Sequence, residues 1–496
     1  MPKLLYRSTR GTDNAIDSSM AIVRGIASDG GLYIPQVIPE IDMPLDSLSR
    51  MDYKELALYI ISKFLTDFKE EELKYCIEKA YDKKFDDLRF APLVEKGGAF
   101  FIELFHGPTL AFKDMALSIL PYLLKIAADK NSIDKEIVIL TATSGDTGKA
   151  ALEGFAGVEG TKIIVFYPKD GVSKIQERHM TTQAGDNTYV VAIEGNFDDA
   201  QKGVKEIFSD REFNGILNKS GYILSSANSI NIGRLIPQVV YYVYAYLNLR
   251  KSGKIESDEA INIVVPTGNF GNILAAFYSK KMGLPVGKLI CASNENNVLY
   301  DFINTGVYDR KRKLIVTSSP SMDILISSNL ERLLYDISGG NADIINDLVS
   351  DLNKKGEFKV TGDMKDKMVD FYGGFATDKE TFETIKYVFS KFNYLIDTHT
   401  AVGYNVYRKY IQDTGDRLKT VIASTASPFE FPGSVVKAIN EKYTGMDEFS
   451  LLKVISEISG LKVPEAVKNL ERKEILHSTV CSKTQMKDVV SDILGI

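Results

Sequence analysis

HGPTLAFKDMA, residues His106 to Ala116, is the stretch on which the reading of this chain turns. It follows an apolar, strand-like run from Ala99 to Phe105 and leads into a helix-like pattern from Met115 to Ile126. That order predicts Lys113 where a loop enters a helix N-terminus. The partial positive charge of a helix start disfavours a second cation and helps keep an amine partly neutral, the state in which lysine attacks a carbonyl. A solvated surface lysine is the ordinary alternative for any one of the 60 Lys and Arg residues, and the residues around Lys113 decide against it.

Those residues resemble the lysine loop of the threonine synthase family, pyridoxal-phosphate (PLP) enzymes whose loop lysine holds the cofactor as a Schiff base. The resemblance places Lys113 on the cofactor lysine. The rest of the chain is then asked whether it supplies what such a cofactor requires.

The 496 residues are enough for about three domains, and a hydrophobic fraction of 44% fills ordinary cores. A net charge of −6 with no long basic run argues against nucleic acid or an anionic membrane as the principal partner. The cysteines Cys76, Cys291 and Cys481 are odd in number and far apart, so neither a disulfide framework nor a zinc cluster is expected, and a reducing cytoplasm is the simplest setting. The start, MPKLLYRSTRG, lacks an apolar signal core, and no apolar run is long enough to span a bilayer. The four histidines, His106, His179, His399 and His477, have unrelated spacings, so no metal is expected.

Residues 1–90 read as a mainly helical N-terminal domain, from the amphipathic runs LSRMDYKELALYIISKFL and KEEELKYCIEKAYDKKF. The motifs YRSTRG and ASDGGLYIP also resemble the start of threonine synthases, with Gly30 and Gly31 read as a turn. In residues 91–445 strands alternate with helices: EIVILTAT, TKIIVFYP, TYVVAIEG, YILSSAN, INIVVPTG and KLICASN are each followed by a helical pattern. This predicts an α/β region with parallel sheet wrapped by helices, in two subdomains, with ligands at the carboxyl ends of the strands. Beyond Asn297 the pattern is mostly helical, including SSNLERLLYDI and DMKDKMVDFY, until a strand TVIAST returns at Thr420. Residues 446–496 read as a C-terminal helical tail.

The motifs lie after strands. PTGNFGN, Pro266 to Asn272, has glycines at 268 and 271 that let the backbone approach a ligand, with a helix start behind them, so it suits an anion as well as it suits a tight turn. TATSGDTGKA, Thr141 to Ala150, fails the P-loop pattern at Thr143 and Ala150, and Lys149 reads as a helix-surface lysine. SANSINIGRLIP, Ser226 to Pro237, sets Asn228 and Ser229 about a turn before Arg234, either a fork for phosphate or an Asn cap with a surface arginine. DTHTAVG, Asp397 to Gly403, holds His399, equally a structural histidine or a substrate contact.

The resemblance to threonine synthases covers these motifs in the family's order and implies their roles. Gly268, Asn269, Phe270, Gly271 and Asn272 hold the cofactor phosphate. Asp146 neighbours the ring hydroxyl, and Thr143, Ser144 and Thr147 receive the amino-acid substrate. Asn228, Ser229 and Arg234 bind the substrate phosphate, and Thr425, in STASPFEFP, faces the pyridine nitrogen. Many family members read TAHP with a basic residue shortly after, whereas this chain has Ser427 and Glu430, so no histidine or cation role transfers there. The implied fold is PLP-dependent fold type II. The implied reaction converts O-phospho-L-homoserine and water to L-threonine and phosphate, in a monomer or homodimer. A dehydratase or β-replacing enzyme of the same cofactor fold, and a non-enzymatic binding protein that has kept the fold, are the rivals.

Overall fold

The computed structural model describes residues 3–496, so Met1 and Pro2 of the start read above lie outside the described residues. The continuous apolar runs form strands buried on both faces, as parallel sheets under helices demand. Two sheets result. The larger has six strands in the order Phe371–Phe375, Val286–Ser293, Ile261–Pro266, Thr420–Ser424, Ala99–Glu103, Leu93–Lys96, parallel except for the last pair. The smaller has five parallel strands in the order Thr479–Ser482, Thr188–Glu194, Thr161–Pro168, Glu136–Ala142, Tyr222–Ser225.

This order positions the motifs. The lysine loop, PTGNFGN and STASP leave three neighbouring strands of the larger sheet, Ala99–Glu103, Ile261–Pro266 and Thr420–Ser424. SGDTG and SANSINIG leave two neighbouring strands of the smaller sheet, Glu136–Ala142 and Tyr222–Ser225. All five are at carboxyl ends, so the two sheets meet edge-on to one cleft. Helix Ile232–Lys251, whose side chains are buried along nearly its whole length, runs through the main apolar core and carries Arg234.

Three expectations need correction. The N-terminal domain has the expected helices, with Tyr53–Phe64 closed by an Asp52–Glu55 capping box and followed by Glu70–Ala80, but it opens with an antiparallel sheet in the order Ile16–Asp17, Leu5–Ser8, Tyr33–Pro35. Within DMKDKMVDFY only Gly362–Asp366 is helical, and Phe371–Phe375 becomes the edge strand of the larger sheet. The tail is not all helix: Thr479–Ser482 pairs with Thr188–Glu194 and closes the smaller sheet. Both missed strands are short edge strands, which lack the long apolar run that marks a central one.

One close approach locks the helices that present the site. A Cβ at Gly154 would lie 2.2 Å from the carbonyl oxygen of Leu117, so helix Asp146–Phe155 touches the backbone of helix Asp114–Leu117. Gly154→Ala should therefore cost about 1–3 kcal/mol in chemical unfolding and weaken the Lys113–Asp146 contact, which lies at the far ends of the same two helices. An unchanged unfolding midpoint would show that the helices can separate freely.

Candidate active site

The lysine loop is built from its own small residues. Gly107 leaves room for Asp114, since a Cβ there would lie 2.4 Å from that of Asp114, and Asp114 accepts from Thr109 N at 2.8 Å and Thr109 Oγ1 at 2.6 Å. Leu110 takes a left-handed conformation, and the chain then pairs with STASP: Phe112 N donates to Thr425 O at 2.8 Å and Ser427 N to Leu110 O at 3.0 Å. Thr425, also buried, is thereby fixed close to Lys113. Lys113 caps helix Asp114–Leu117, as its sequence context predicts, with its side chain 12% exposed.

Its Nζ donates to Asp146 Oδ2 at 2.8 Å. Burial lowers the amine below the ordinary lysine range, Asp146 opposes that shift, and the charges of Arg234 and Lys149 add to it. The lowering expected from a helix start is thus present, but its main cause is desolvation, because the helix has only one turn.

Asp146 is the hub of the cleft. Burial alone would push its carboxyl up, but Lys113 and Lys149 together hold it well below the usual range. It accepts from Gln176 Nε2 at 2.7 Å through Oδ1 and from Ser321 Oγ through Oδ2. The Ser321 amide donates to His399 Nε2 at 3.2 Å, so the ring proton is on Nδ1, which faces Asp397 Oδ2 at 2.7 Å. Both nitrogens of His399 are engaged within the protein, which supports the structural one of its two readings.

Lys149 is not on the surface. It is 1% exposed, donates to Thr109 O at 2.7 Å and pairs with Glu430, which is 0% exposed. Helical periodicity could not show this, because the face Lys149 occupies is covered only when STASPFEFP folds over it.

The SGDTG loop is held from within. Thr143 Oγ1 accepts from Gly145 N and Gly148 N, both at 2.9 Å, so its oxygen is committed to the loop, while Ser144 is exposed and Thr147 half-buried beside it. The loop opens helix Asp146–Phe155 with no side-chain cap. SANSINIG is capped by Asn231, whose side chain accepts from Gly233 N at 2.9 Å, which leaves Asn228 free of the capping role that the alternative reading gave it. Arg234 is buried rather than on the surface: its Nη1 donates to Ala227 O at 2.9 Å, its Nε has no partner, and burial lowers it to about 10.

PTGNFGN is embraced by a segment that sequence reasoning took for the beginning of a helix. Ser327 Oγ donates to Gly268 O at 2.7 Å, and Asn329 donates to Asn269 O through both its amide and Nδ2, each at 3.0 Å. Asn329 Nδ2 also reaches Ser229 Oγ at 3.2 Å, and the buried Arg332 binds Asn329 Oδ1, Ile230 O and Tyr33 O. The cofactor-phosphate and substrate-phosphate loops of the sequence reading are thus joined by one asparagine.

A buried lysine on a loop, an acid that holds it, and uncapped helix starts at strand ends describe an enzyme that binds an aldehyde cofactor and anions, and residues 90–425 match the pyridoxal-phosphate dependent enzyme family. Residues 5–81 match the threonine synthase N terminus and 400–490 the threonine synthase C-terminal family. Threonine synthase of Saccharomyces cerevisiae is 35% identical over 94% of this chain and 93% of its own. Threonine synthase-like 1 of Homo sapiens is 38% identical over 89% of this chain, which spans 61% of that relative's length. The crystal structure of PLP-bound threonine synthase from Brucella melitensis superposes with a TM-score of 0.87 at 36% identity, covering 99% of this chain and 98% of that one. The chain belongs to the threonine synthase family.

The site fits the family's cofactor. A Cβ at Gly268 would lie 2.8 Å from Ser321 O, so only glycine leaves the loop its path. Phe270 is left-handed and caps helix Gly271–Lys281 with no side-chain bond, which leaves the first amides open. Asn272 accepts from Tyr241 and Tyr242, both at 2.6 Å, while its buried Nδ2 has no partner. Open amides and an orphan donor are what a phosphate group satisfies.

Ser321, Gln176, Asn329, Arg332, Lys149 and Glu430 were missed, because each acts through a contact made across elements. In cofactor-free protein, acylation of Lys113 mapped by peptide mass should set in at lower pH than that of surface lysines. Asp146→Asn should lower the onset further, since Asp146 raises the amine's proton affinity. A rise in that variant would show that the two groups are not paired.

Proposed function

We propose that this chain converts O-phospho-L-homoserine and water to L-threonine and phosphate, as a lyase working with pyridoxal phosphate. The observation that carries the substrate choice is Arg234, a cation 3% exposed with an unpartnered Nε and no acidic partner among the described residues. A buried charge left in that state is matched by an anionic ligand, and Asn228 and Ser229 on the preceding loop add short hydrogen-bonding groups. The cofactor's own phosphate has the Gly268 to Asn272 cradle, so Arg234 serves a second one.

When bound, pyridoxal phosphate supplies an electron sink for charge developing on the substrate carbons. Lys113 would hold the cofactor, and its amine, when free, would take the proton from Cα and carry a proton at Cβ. A lysine lowered by burial suits both directions of transfer. Asp146 orients the amine and would neighbour the ring hydroxyl of the bound cofactor, and Thr425 would offer a neutral hydroxyl to its ring nitrogen. The amides of the Ser144 to Thr147 turn receive the substrate carboxylate. Ser321, bonded to the same Asp146 oxygen as Lys113, helps to fix that carboxylate. The departing phosphate is neutralised by Arg234. The reaction is set in the cytoplasm, a reading supported by three buried thiols, Cys76, Cys291 and Cys481, none in a disulfide.

Borohydride reduction of the holoenzyme should place the pyridoxyl mass on Lys113, and its appearance on another lysine would refute that role. Lys113→Ala should retain weak cofactor binding through the cradle and lose nearly all turnover. Arg234→Ala should lose about 1.5–3 kcal/mol of selectivity for phosphohomoserine, roughly ten- to a hundredfold in kcat/KM, with normal cofactor absorbance. Slow deamination of serine or threonine should be far less affected. Equal losses on both substrates would return a dehydratase reading.

A further inference from the structure

The Lys149–Glu430 pair takes no part in the steps above, yet it is the most deeply buried ion pair in the cleft. Lys149 projects from helix Asp146–Phe155, and Glu430 follows strand Thr420–Ser424 on a turn in which its amide donates to Ser427 O at 3.0 Å. Gln176, from helix Lys174–Thr181, bridges the two carboxylates: one Nε2 reaches Asp146 Oδ1 at 2.7 Å and Glu430 Oε1 at 3.1 Å. Gln176 has little freedom to leave, since its side chain fills the space that a Cβ at Gly145 would occupy. Glu430 Oε2 is buried without a partner. Hydrophobic residues of similar volume would pack here at less cost than two desolvated ions, so the pair is not explained by stability.

We propose that Glu430, anchored by Lys149 and bridged to Asp146 by Gln176, is a positioning residue for Lys113: gain or loss of the proton on its own carboxyl sets the charge that stands behind Asp146 and faces the lysine nitrogen. The inference rests on Lys113 being the cofactor lysine. The groups that face Glu430 are Lys149, Asp146 and Gln176, with Lys113 and His399 reaching it through Asp146. Burial raises its carboxyl to about 8; Lys149 opposes this and Asp146 adds to it. Below that pH Glu430 carries the proton while Asp146, held well below the usual range, stays ionised. Above it a second negative charge appears beside Asp146 and favours the protonated form of the nitrogen on Lys113.

The test is a pH titration of the visible absorption of the holoenzyme, which reports protonation of the nitrogen joining Lys113 to the cofactor. In Glu430→Gln the second charge never develops, so the midpoint should fall by about one pH unit, with the pyridoxyl label still on Lys113. Gln176→Met removes the donor that favours the ionised acids and should shift the midpoint the same way. It decides the matter should Glu430→Gln not accumulate as folded protein. Unchanged midpoints with the label on Lys113 overturn the coupling alone. A label on a different lysine in the unsubstituted protein overturns the Lys113 assignment, and the inference with it.

Discussion

Lys113 Nζ and Asp146 Oδ2 meet at 2.8 Å where the carboxyl ends of two sheets face each other, and the rest of the cleft is arranged around keeping them there. Lys113 comes from the loop after Ala99–Glu103 in the larger sheet and Asp146 from the loop after Glu136–Ala142 in the smaller. Their helices can approach only because Gly154 has no side chain, and their loops turn only because Gly107 and Gly145 leave room for Asp114 and Gln176. A buried ion pair is weak evidence for stability, since two ions lose hydration to form it. The stability resides in the apolar clusters behind the sheets, and what the pair provides is a lysine of known orientation, whose basicity burial lowers against the opposing charge of Asp146.

The cleft is cationic in its unmatched charge. Asp146 answers Lys113, while among the described residues Arg234 has no acid partner and two helix starts in the cleft have no side-chain caps. Open amides and a lone guanidinium form a site organised for anions before any arrives, which avoids reorganisation on binding. An overall net charge of −6 says nothing of this, because the field that matters is made by a few buried groups.

The irregular segment before helix Leu330–Ile337 links these parts. Asp323 gathers Thr317, Asn294 and Asn296, Ser321 joins His399 to Asp146, and Ser327 and Asn329 close on the glycine loop. Arg332, fully buried, then ties Asn329 to the carbonyl of Tyr33 in the N-terminal sheet. Through this arginine the N-terminal sheet is tied to the two loops that Asn329 joins.

Much of this was legible in the letters. The central strands are apolar runs that only a doubly covered sheet accommodates, and the glycines and hydroxyls that follow them mark turns at carboxyl ends, so the α/β class and the positions of Lys113, Gly268 to Asn272 and Arg234 follow from local chemistry. The family resemblance rested on those same loops. The edge strands Phe371–Phe375 and Thr479–Ser482 were not legible, because a short strand is specified by the neighbour it pairs with. Nor was the burial of Lys149, which reads as a surface lysine, or of Glu430, until helix Asp146–Phe155 and the turn after Thr420–Ser424 enclose them. Sequence determines what each loop can hold, since that depends on residue type and spacing. Which charges lose their water, and which acid faces which amine, depends on segments hundreds of residues apart meeting, and only the tertiary structure decides that.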